Sequence, residues 1–315
     1  MRDLRIVFMG TPDFAVESLK AIVDAGYNVV GVITAPDKPA GRGRKLQESA
    51  VKKYAVEQGL PLLQPVNLKS EDFLQQLRAW QPNLQVVVAF RMLPKAVWDL
   101  PEYGTFNLHA SLLPHYRGAA PINWAIINGE TTTGVSTFFL DEKIDTGEMI
   151  LQEAVEIGPK DDAGVLHDKL MTRGSELVIE TLKKIREGEV VTTPQKEATG
   201  LRDAFKLTKE NTRIDWLQPL EQIYNHIRGL SPYPAAWTIL YNEGQEFQFK
   251  IYSVEMEAAA HEMKPGTLLQ EGKKVKIAVQ GGFLDLMEVQ LPGKRKMSVR
   301  DLLNGFSFAE DAKVL

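Results

Sequence analysis

At 315 residues, 44% hydrophobic and 25% charged, the chain is too long for one ordinary hydrophobic core and suits two domains of ~100–200 residues each. It has no cysteine, which excludes disulfide bridges, a thiolate nucleophile and a thiolate metal site. No run approaches the ~20 apolar residues that span a bilayer, and a formal net charge of −4 disfavours indiscriminate nucleic-acid binding. The apolar run near the N-terminus is too short for a signal peptide, so a cytoplasmic enzyme is expected.

Ile6–Met9, then Gly10-Thr-Pro-Asp, then an amphipathic pattern through Ala25 predict a strand, a tight turn and a helix capped by Thr11 with Pro12 in its first turn. Asn28–Thr34 reads as a strand, Gln47–Gln58 as a helix, Leu60–Leu63 as a short strand and Ser70–Ala79 as a helix. Gln85–Ala89 and Phe106–His109 are further strands, followed by a helix at Pro121–Asn128, a strand at Gly134–Leu140 and a long helix at Val165–Arg186. Strands alternating with helices imply an α/β domain over residues 1–188, a Rossmann-like parallel sheet covered on both faces. The polar stretch 189–206, with Pro194 and Gly200, reads as a linker.

Residues 207–315 have a different rhythm. A helix at Leu220–Arg228 precedes short strands at Ala236–Tyr241, Phe247–Val254, Gly266–Leu269, Val275–Val279 and Phe283–Gln290, with a last helix at Val299–Leu303. Five short strands separated by turns suggest an OB-like β-barrel as the C-terminal domain.

Charge is concentrated in three places. Lys38, Arg42, Arg44, Lys45, Lys52 and Lys53 outnumber Asp37 and Glu48; Lys273, Lys274 and Lys276 form a second cluster, and Lys294-Arg295-Lys296 a third. On charge alone these are solvated loops and turns.

Polar Asn107 and His109 alternate with apolar Phe106 and Leu108, so both polar side chains leave a strand end on the same side. An amide donor and an imidazole facing one way suit an oxyanion-binding pair at a carbonyl under attack. Asp145 is a carboxylate able to hold the imidazole or to take a proton from an attacking amine. The chain has no G-x-S-x-G and no H-E-x-x-H, so direct attack of one substrate on a carbonyl of another is the simplest chemistry. The same residues also fit a structural reading, with Asn107 and His109 capping a strand end and Asp145 opening a turn. The Gly10 turn lacks G-x-G-x-x-G, which leaves a nicotinamide-dependent oxidoreductase without its phosphate cradle. His167, His226 and His261 lack partners at metal-ligand spacing and are expected to be structural or exposed, and His115 stands where many residue types would serve.

Asn107-Leu-His109-Ala-Ser111-Leu-Leu-Pro114-His-Tyr-Arg117-Gly118-Ala-Ala-Pro121 resembles the signature of the folate-dependent formyltransferases. Gly134-Val-Ser-Thr-Phe-Phe-Leu-Asp141-Glu-Lys-Ile-Asp145-Thr-Gly147 resembles it too, and the two segments stand in the family's order. The resemblance extends to Gly10–Ala15, Pro36–Lys45, Lys206–Trp216 and Gly293–Gly305, so that essentially the whole chain is similar to the methionyl-tRNA formyltransferase family. This implies formyl transfer from 10-formyltetrahydrofolate to the α-amine of methionine on initiator tRNA, by a monomer without a metal.

By resemblance, Asn107, His109 and Asp145 match the catalytic positions, and Ser111, Leu112, Leu113 and Pro114 match the folate-binding turn. Phe90, Met92 and Leu93, in a turn a residue shorter than the family's common form, would line the pterin pocket, and Asp141 would shape the folate loop. Lys38, Arg42, Arg44 and Lys45 would enter the tRNA acceptor end, where a guanidinium clamps phosphate and stacks on a base. Lys294, Arg295 and Lys296 would hold the acceptor arm from the barrel. An amino sugar nucleotide formyltransferase shares the Asn-His-Asp set but has no need of the basic loop. Glycinamide ribonucleotide formyltransferases lack the barrel, and a hydrolase of the same formyl donor leaves the loop without a purpose. A non-catalytic tRNA-binding protein on this fold is the alternative of a different class.

Overall fold

Valine- and isoleucine-rich runs form strands because branched side chains pack well on a pleated surface. The computed structural model, which describes residues 1–40, 45–196 and 199–315, assembles them into two units. The first comprises Met1–Gly118, Thr132–Glu156 and His167–Asp203. Its strands are β1 (Arg5–Gly10), β2 (Asn28–Ile33), β3 (Lys38–Ala40), β4 (Lys45–Gln47), β5 (Leu62–Leu63), β6 (Leu84–Val88), β7 (Thr105–His109), β8 (Thr132–Phe139) and β9 (Met149–Glu156). Seven of them make one sheet in the order β9-β8-β7-β6-β1-β2-β5.

From β5 to β7 the pairing is parallel. β8 runs antiparallel to β7, and β9 antiparallel to β8, so two antiparallel strands extend the parallel sheet expected from the alternation of elements. The connection Leu140–Glu148 is shorter than the roughly dozen residues a parallel crossover needs. β9 escaped the sequence reading because it is a half-exposed edge, with Gln152, Ala154 and Glu156 all facing solvent. Chain order reverses between β1 and β6, and in such sheets ligands bind at the carboxyl ends beside this switch point. Gly10, Val88 and His109 lie at those ends.

Two local expectations shift. The helix Asp13–Asp24 takes Pro12 as its cap residue with no side-chain cap bond, so Thr11 does not cap it. The helix expected from Gln47 begins at Ala50, because the Ser49 hydroxyl accepts the Lys52 amide at 3.0 Å and ends the extended run. Gln47 instead belongs to the hairpin β3–β4. Lys52 ties down its root, with Nζ 2.5 Å from Asp37 Oδ2 and 2.8 Å from Glu48 Oε1. One cation of the basic segment is thereby neutralised.

The second unit comprises Ala119–Thr131, Ile157–Leu166 and Ala204–Leu315. Its strands are β10 (Ala236–Asn242), β11 (Gln245–Ala258), β12 (Leu268–Glu271), β13 (Lys274–Val279), β14 (Gly282–Gln290), β15 (Met297–Ser298) and β16 (Lys313–Val314). They pair in the order β12-β13-β14-β11-β10-β16, with β15 on β14. An antiparallel bridge from Thr267 to Lys313 and a 2.9 Å bond from the Val314 amide to the Gly266 carbonyl return the last strand to the first. The sheet is therefore a nearly closed antiparallel barrel. Leu240, Phe249, Ile251, Ile277, Leu284 and Val289 fill it, covered by Ile223 and Ile227 of the helix Leu220–Leu230.

The units interleave along the chain, whereas the sequence reading assigned all of 1–188 to one domain. Residues 119–131 go with the barrel because the helix Pro121–Ile127 lies against Leu220–Leu230, where Asn123 Nδ2 donates to the Gly229 carbonyl at 2.8 Å. Most of the expected linker 189–206 is tied into the first unit, through reciprocal Met149–Thr193 backbone bonds and a Tyr116–Arg202 backbone bond. Among the described residues no helix is long and apolar enough to cross a membrane.

Candidate active site

Strand alternation buries Phe106 and Leu108 in the core and turns Asn107 and His109 the other way. Asn107 is half-buried, opposite Val87 of β6 and Phe138 of β8, and its carboxamide bonds no described residue. His109 is 7% exposed and its Nε2 lies 2.8 Å from the Tyr116 carbonyl oxygen. A carbonyl only accepts, so Nε2 carries the proton. In the neutral ring Nδ1 is then a lone pair fit to take a proton; it becomes a donor only when the ring is cationic.

The turn after β7 is fixed by side chains of the two antiparallel strands. Ser136 Oγ donates to the Ser111 carbonyl at 2.6 Å and accepts the Leu113 amide at 3.2 Å. Gln152 Nε2 donates to the Leu113 carbonyl and to Ser136 Oγ, both at 2.8 Å. Ser111 Oγ donates to the His115 carbonyl at 2.7 Å. Sequence reasoning missed Ser136 and Gln152, since nothing local to a half-exposed strand marks a residue that orders a distant turn.

Asp145 reaches the same turn from the other side. Its Oδ2 accepts the Gly118 amide at 3.0 Å, and its backbone is left-handed, with φ 56°. Gln195 Nε2 holds the carbonyls of Asp145 at 3.0 Å and Gly147 at 2.8 Å, while its Oε1 accepts Nε and Nη2 of Arg117 at 3.1 and 2.6 Å. A Cβ at Gly147 would stand 1.7 Å from the Phe139 carbonyl oxygen, so only glycine fits there. Asp141 stiffens the loop by accepting the Lys143 amide at 3.0 Å and the Thr146 hydroxyl at 2.8 Å.

His109 and Asp145 thus grip opposite ends of the segment Tyr116–Gly118. Among the described residues no hydrogen bond joins their side chains directly. Tyr116 takes up Nε2 and Gly118 takes up Oδ2. An uncommitted amide and an imidazole of fixed tautomer on β7 thus stand beside the segment Tyr116–Gly118, which a carboxylate with one oxygen to spare holds at its other end.

The family model described as formyl transferase matches residues 4–182, and the one described as formyl transferase, C-terminal domain, matches 206–307. The protein belongs to the formyl transferase family. Methionyl-tRNA formyltransferase of Flavobacterium johnsoniae is 58% identical over 100% of both chains. The relative of the same name from Bacteroides fragilis is 56% identical over 99% of this chain and 98% of its own. Among solved structures, WlaRD, a sugar 3N-formyl transferase crystallised with dTDP and 5-N-formyl-THF, is 18% identical with a TM-score of 0.64 over 94% of this chain and 100% of that one. HypX from Aquifex aeolicus in complex with tetrahydrofolic acid is 18% identical with a TM-score of 0.65 over 96% of this chain and 47% of that one. At such identities the likeness concerns the fold.

In this formyl transferase the other residues singled out by sequence divide by exposure. Phe90 is half-buried and Met92 is 72% exposed, whereas Leu93 and Leu113 are buried, Leu93 in the core beside Val97. Leu112 and Pro114 are half-buried. The Arg91 guanidinium binds the Pro65 and Val66 carbonyls and steadies this rim. Lys38 is exposed and Lys45 stands in β4; Arg42 and Arg44 lie outside the described residues.

In the second unit, Lys294 and Arg295 are exposed, but Lys296 Nζ pairs with Glu288 at 2.9 Å. Lys274 and Lys276 face Asp285 at 3.8 Å and Glu257 at 2.6 Å, which supports their reading as a solvated surface. His261 is structural: its Nε2 lies 2.9 and 2.8 Å from the Val279 and Gly282 carbonyls, and its Nδ1 accepts the Met263 amide at 3.2 Å.

Proposed function

We propose that this formyl transferase moves the formyl group of 10-formyltetrahydrofolate onto the α-amine of methionine carried by initiator tRNA. The observation that carries the reading is end-to-end identity of 52–58% to relatives named methionyl-tRNA formyltransferase. Folate in the WlaRD and HypX crystals supports the donor class.

In this reading the amine lone pair attacks the formyl carbon, and the negative charge that gathers on the formyl oxygen is met by the Asn107 amide. The proton lost by the amine passes to His109 Nδ1, whose other nitrogen is engaged by Tyr116. The free oxygen of Asp145 accepts a second amine hydrogen and favours the imidazolium once formed. Collapse of the intermediate breaks the carbon–N10 bond, and His109 returns the proton to the folate nitrogen. Ser111–Pro114, Phe90, Met92 and Asp141 border the folate; Leu93, being buried, contributes through its backbone. Lys38, Arg42, Arg44 and Lys45 meet the acceptor end of the tRNA, and Lys294 and Arg295 add charge on the barrel.

The test is formyl transfer from 10-formyltetrahydrofolate to methionyl initiator tRNA, run beside an amino sugar nucleotide acceptor. Formylated tRNA alone supports the reading. Transfer only to the sugar would keep the chemistry and overturn the partner; transfer to neither would sink both.

A further inference from the structure

Residues 64–67 form a strap that leads from β5 to the helix Glu71–Ala79. The ladder between β2 and β5 stops at the 3.1 Å bond from the Thr34 amide to the Leu63 carbonyl. Beyond it, among the described residues, Gln64, Pro65 and Val66 make no backbone–backbone bond. Side chains hold the strap instead. Arg91, in the turn after β6, donates from Nη1 to the Val66 carbonyl at 2.9 Å and from Nη2 to the Pro65 carbonyl. Gln64 Nε2 donates to the Ala35 carbonyl at 2.9 Å and to Asp37 Oδ1 at 2.8 Å. Both hydrogens of this amide are thereby used.

The two grips belong to different parts of the site. The sheet order β6-β1-β2-β5 places two strands between the turn that carries Arg91 and the strap. Their contact therefore crosses the carboxyl ends of β1 and β2, beside the switch point. Beneath it Leu68 and Leu93 join Met9 and Ile33 in one buried cluster, while Val66 stays 82% exposed. Arg91 stands between Phe90 and Met92 on the rim assigned to folate, its guanidinium 5.6 Å from the Phe90 ring centre. Asp37 directly precedes β3, and its second oxygen takes Lys52 Nζ, which also binds Glu48 at the end of β4. Through Asp37 and Lys52, Gln64 is joined to both ends of the basic hairpin.

We propose that Gln64 is a positioning residue for the transfer reaction. Through it the folate rim and the basic hairpin hold one another in place, so that folate bound at Phe90–Met92 steadies β3 and β4 for the acceptor. The inference rests on the reading given above, in which the rim borders folate and the hairpin meets the tRNA. Coupling of this kind is reciprocal: whatever folate does for the hairpin, an acceptor seated on the hairpin does for folate. Arg91 completes the connection from the rim side, and neither side chain touches a reacting atom.

Millisecond hydrogen exchange, read by mass spectrometry, follows the peptide spanning β3 and β4 with and without saturating tetrahydrofolate. The full chain is compared with Gln64→Leu, each saturated according to its own calorimetric Kd. In the parent, folate is expected to slow exchange about fivefold, the low end of couplings between sites. In Gln64→Leu that ratio should fall to about one, with KM for methionyl initiator tRNA raised about fivefold and kcat changed less than about threefold. Arg91→Gln should lose the ratio too, whereas Arg78→Gln, which opens a surface pair with Glu71, should keep it. A strap that serves stability alone would speed exchange equally in both states and preserve the ratio in Gln64→Leu. That result would overturn the proposal, as would a folate-bound parent whose hairpin exchanges as before. Gln64→Glu, of the same size but with no N–H for Asp37, repeats the test should leucine disturb folding. A parent that binds no tetrahydrofolate would remove the donor reading and the proposal with it. Loss of the ratio in Gln64→Leu, in a protein whose parent formylates no tRNA, would leave the coupling standing and remove only the acceptor.

Discussion

Replacing Gln195 by alanine asks whether the turn around Asp145 is held for catalysis. The side chain donates to two carbonyls and accepts two bonds from Arg117. Two neutral bonds at ~1 kcal/mol each and one charge-assisted pair at ~1.5 kcal/mol sum to ~3–4 kcal/mol, which water entering this half-buried position reduces to ~2 kcal/mol. The rate effect should be larger than that loss suggests. Asp145 holds a left-handed backbone that costs a non-glycine residue ~1 kcal/mol and persists only while its surroundings impose it. Freed of Gln195, the turn relaxes and the carboxylate drifts from the Gly118 amide; a shift of about 1 Å is worth ~100-fold in rate. Gln195→Ala is therefore expected to lower kcat by ~30- to 100-fold while KM for folate moves less than about threefold. Gln195→Glu keeps an acceptor for Arg117 but deletes both donors, and should lose a similar factor in kcat with less loss of stability. Steady-state kinetics read beside thermal denaturation decide the matter. A folded Gln195→Ala protein with kcat within twofold of the parent would refute the positioning argument.

Asn107→Ala should lower kcat by ~10²–10³, the usual cost of a lost oxyanion donor, with an unchanged melting temperature; single-turnover formylation showing normal chemistry would remove the role. Gly147→Ala must push its Cβ off the Phe139 carbonyl, so both activity and thermal stability should fall, and a variant as stable as the parent would contradict the close approach. Burial holds the His226 imidazole below its ordinary 6.5, a backbone bond at Thr212 offsetting part of the effect, and Nε2 has no partner among the described residues. Below 6.5 the unfolded chain takes up a proton that the folded protein resists, so stability rises with pH through that region and the gain is complete above it. Urea denaturation between pH ~5 and ~7 should show this slope in the parent and a flatter one in His226→Gln; identical slopes would clear His226 of responsibility.

The strand placement of Asn107 and His109 was legible because period-2 alternation is a property of a few neighbouring residues, and the turn at Asp145 because a D-x-G sequence announces itself locally. Strand direction was not legible: β8 carries the same apolar run whether it lies parallel or antiparallel to β7, and the short Leu140–Glu148 connection hints only that β9 runs antiparallel to β8. The hairpin β3–β4 was read as a loop because its strands are three residues each, below the length at which periodicity speaks. Gln195 sits in a polar stretch that reads as a linker, and its partners Arg117, Asp145 and Gly147 stand far from it in sequence. Long-range bonds of this kind leave no local trace.

The interleaving of the two units bears on how the chain folds. Five junctions divide them, at 118/119, 131/132, 156/157, 166/167 and 203/204. During synthesis the first unit cannot close its Asp145 turn until Gln195 and Arg202 have emerged, by which time the helix Pro121–Ile127 is still waiting for Leu220–Leu230. Each unit holds unfinished surface while the other is being made, a condition that exposes nascent chains to aggregation and chaperones. The same threading means that a single breakpoint cannot exchange either unit entire for a foreign module: a cut at 203/204 leaves residues 119–131 and 157–166 of the second unit behind.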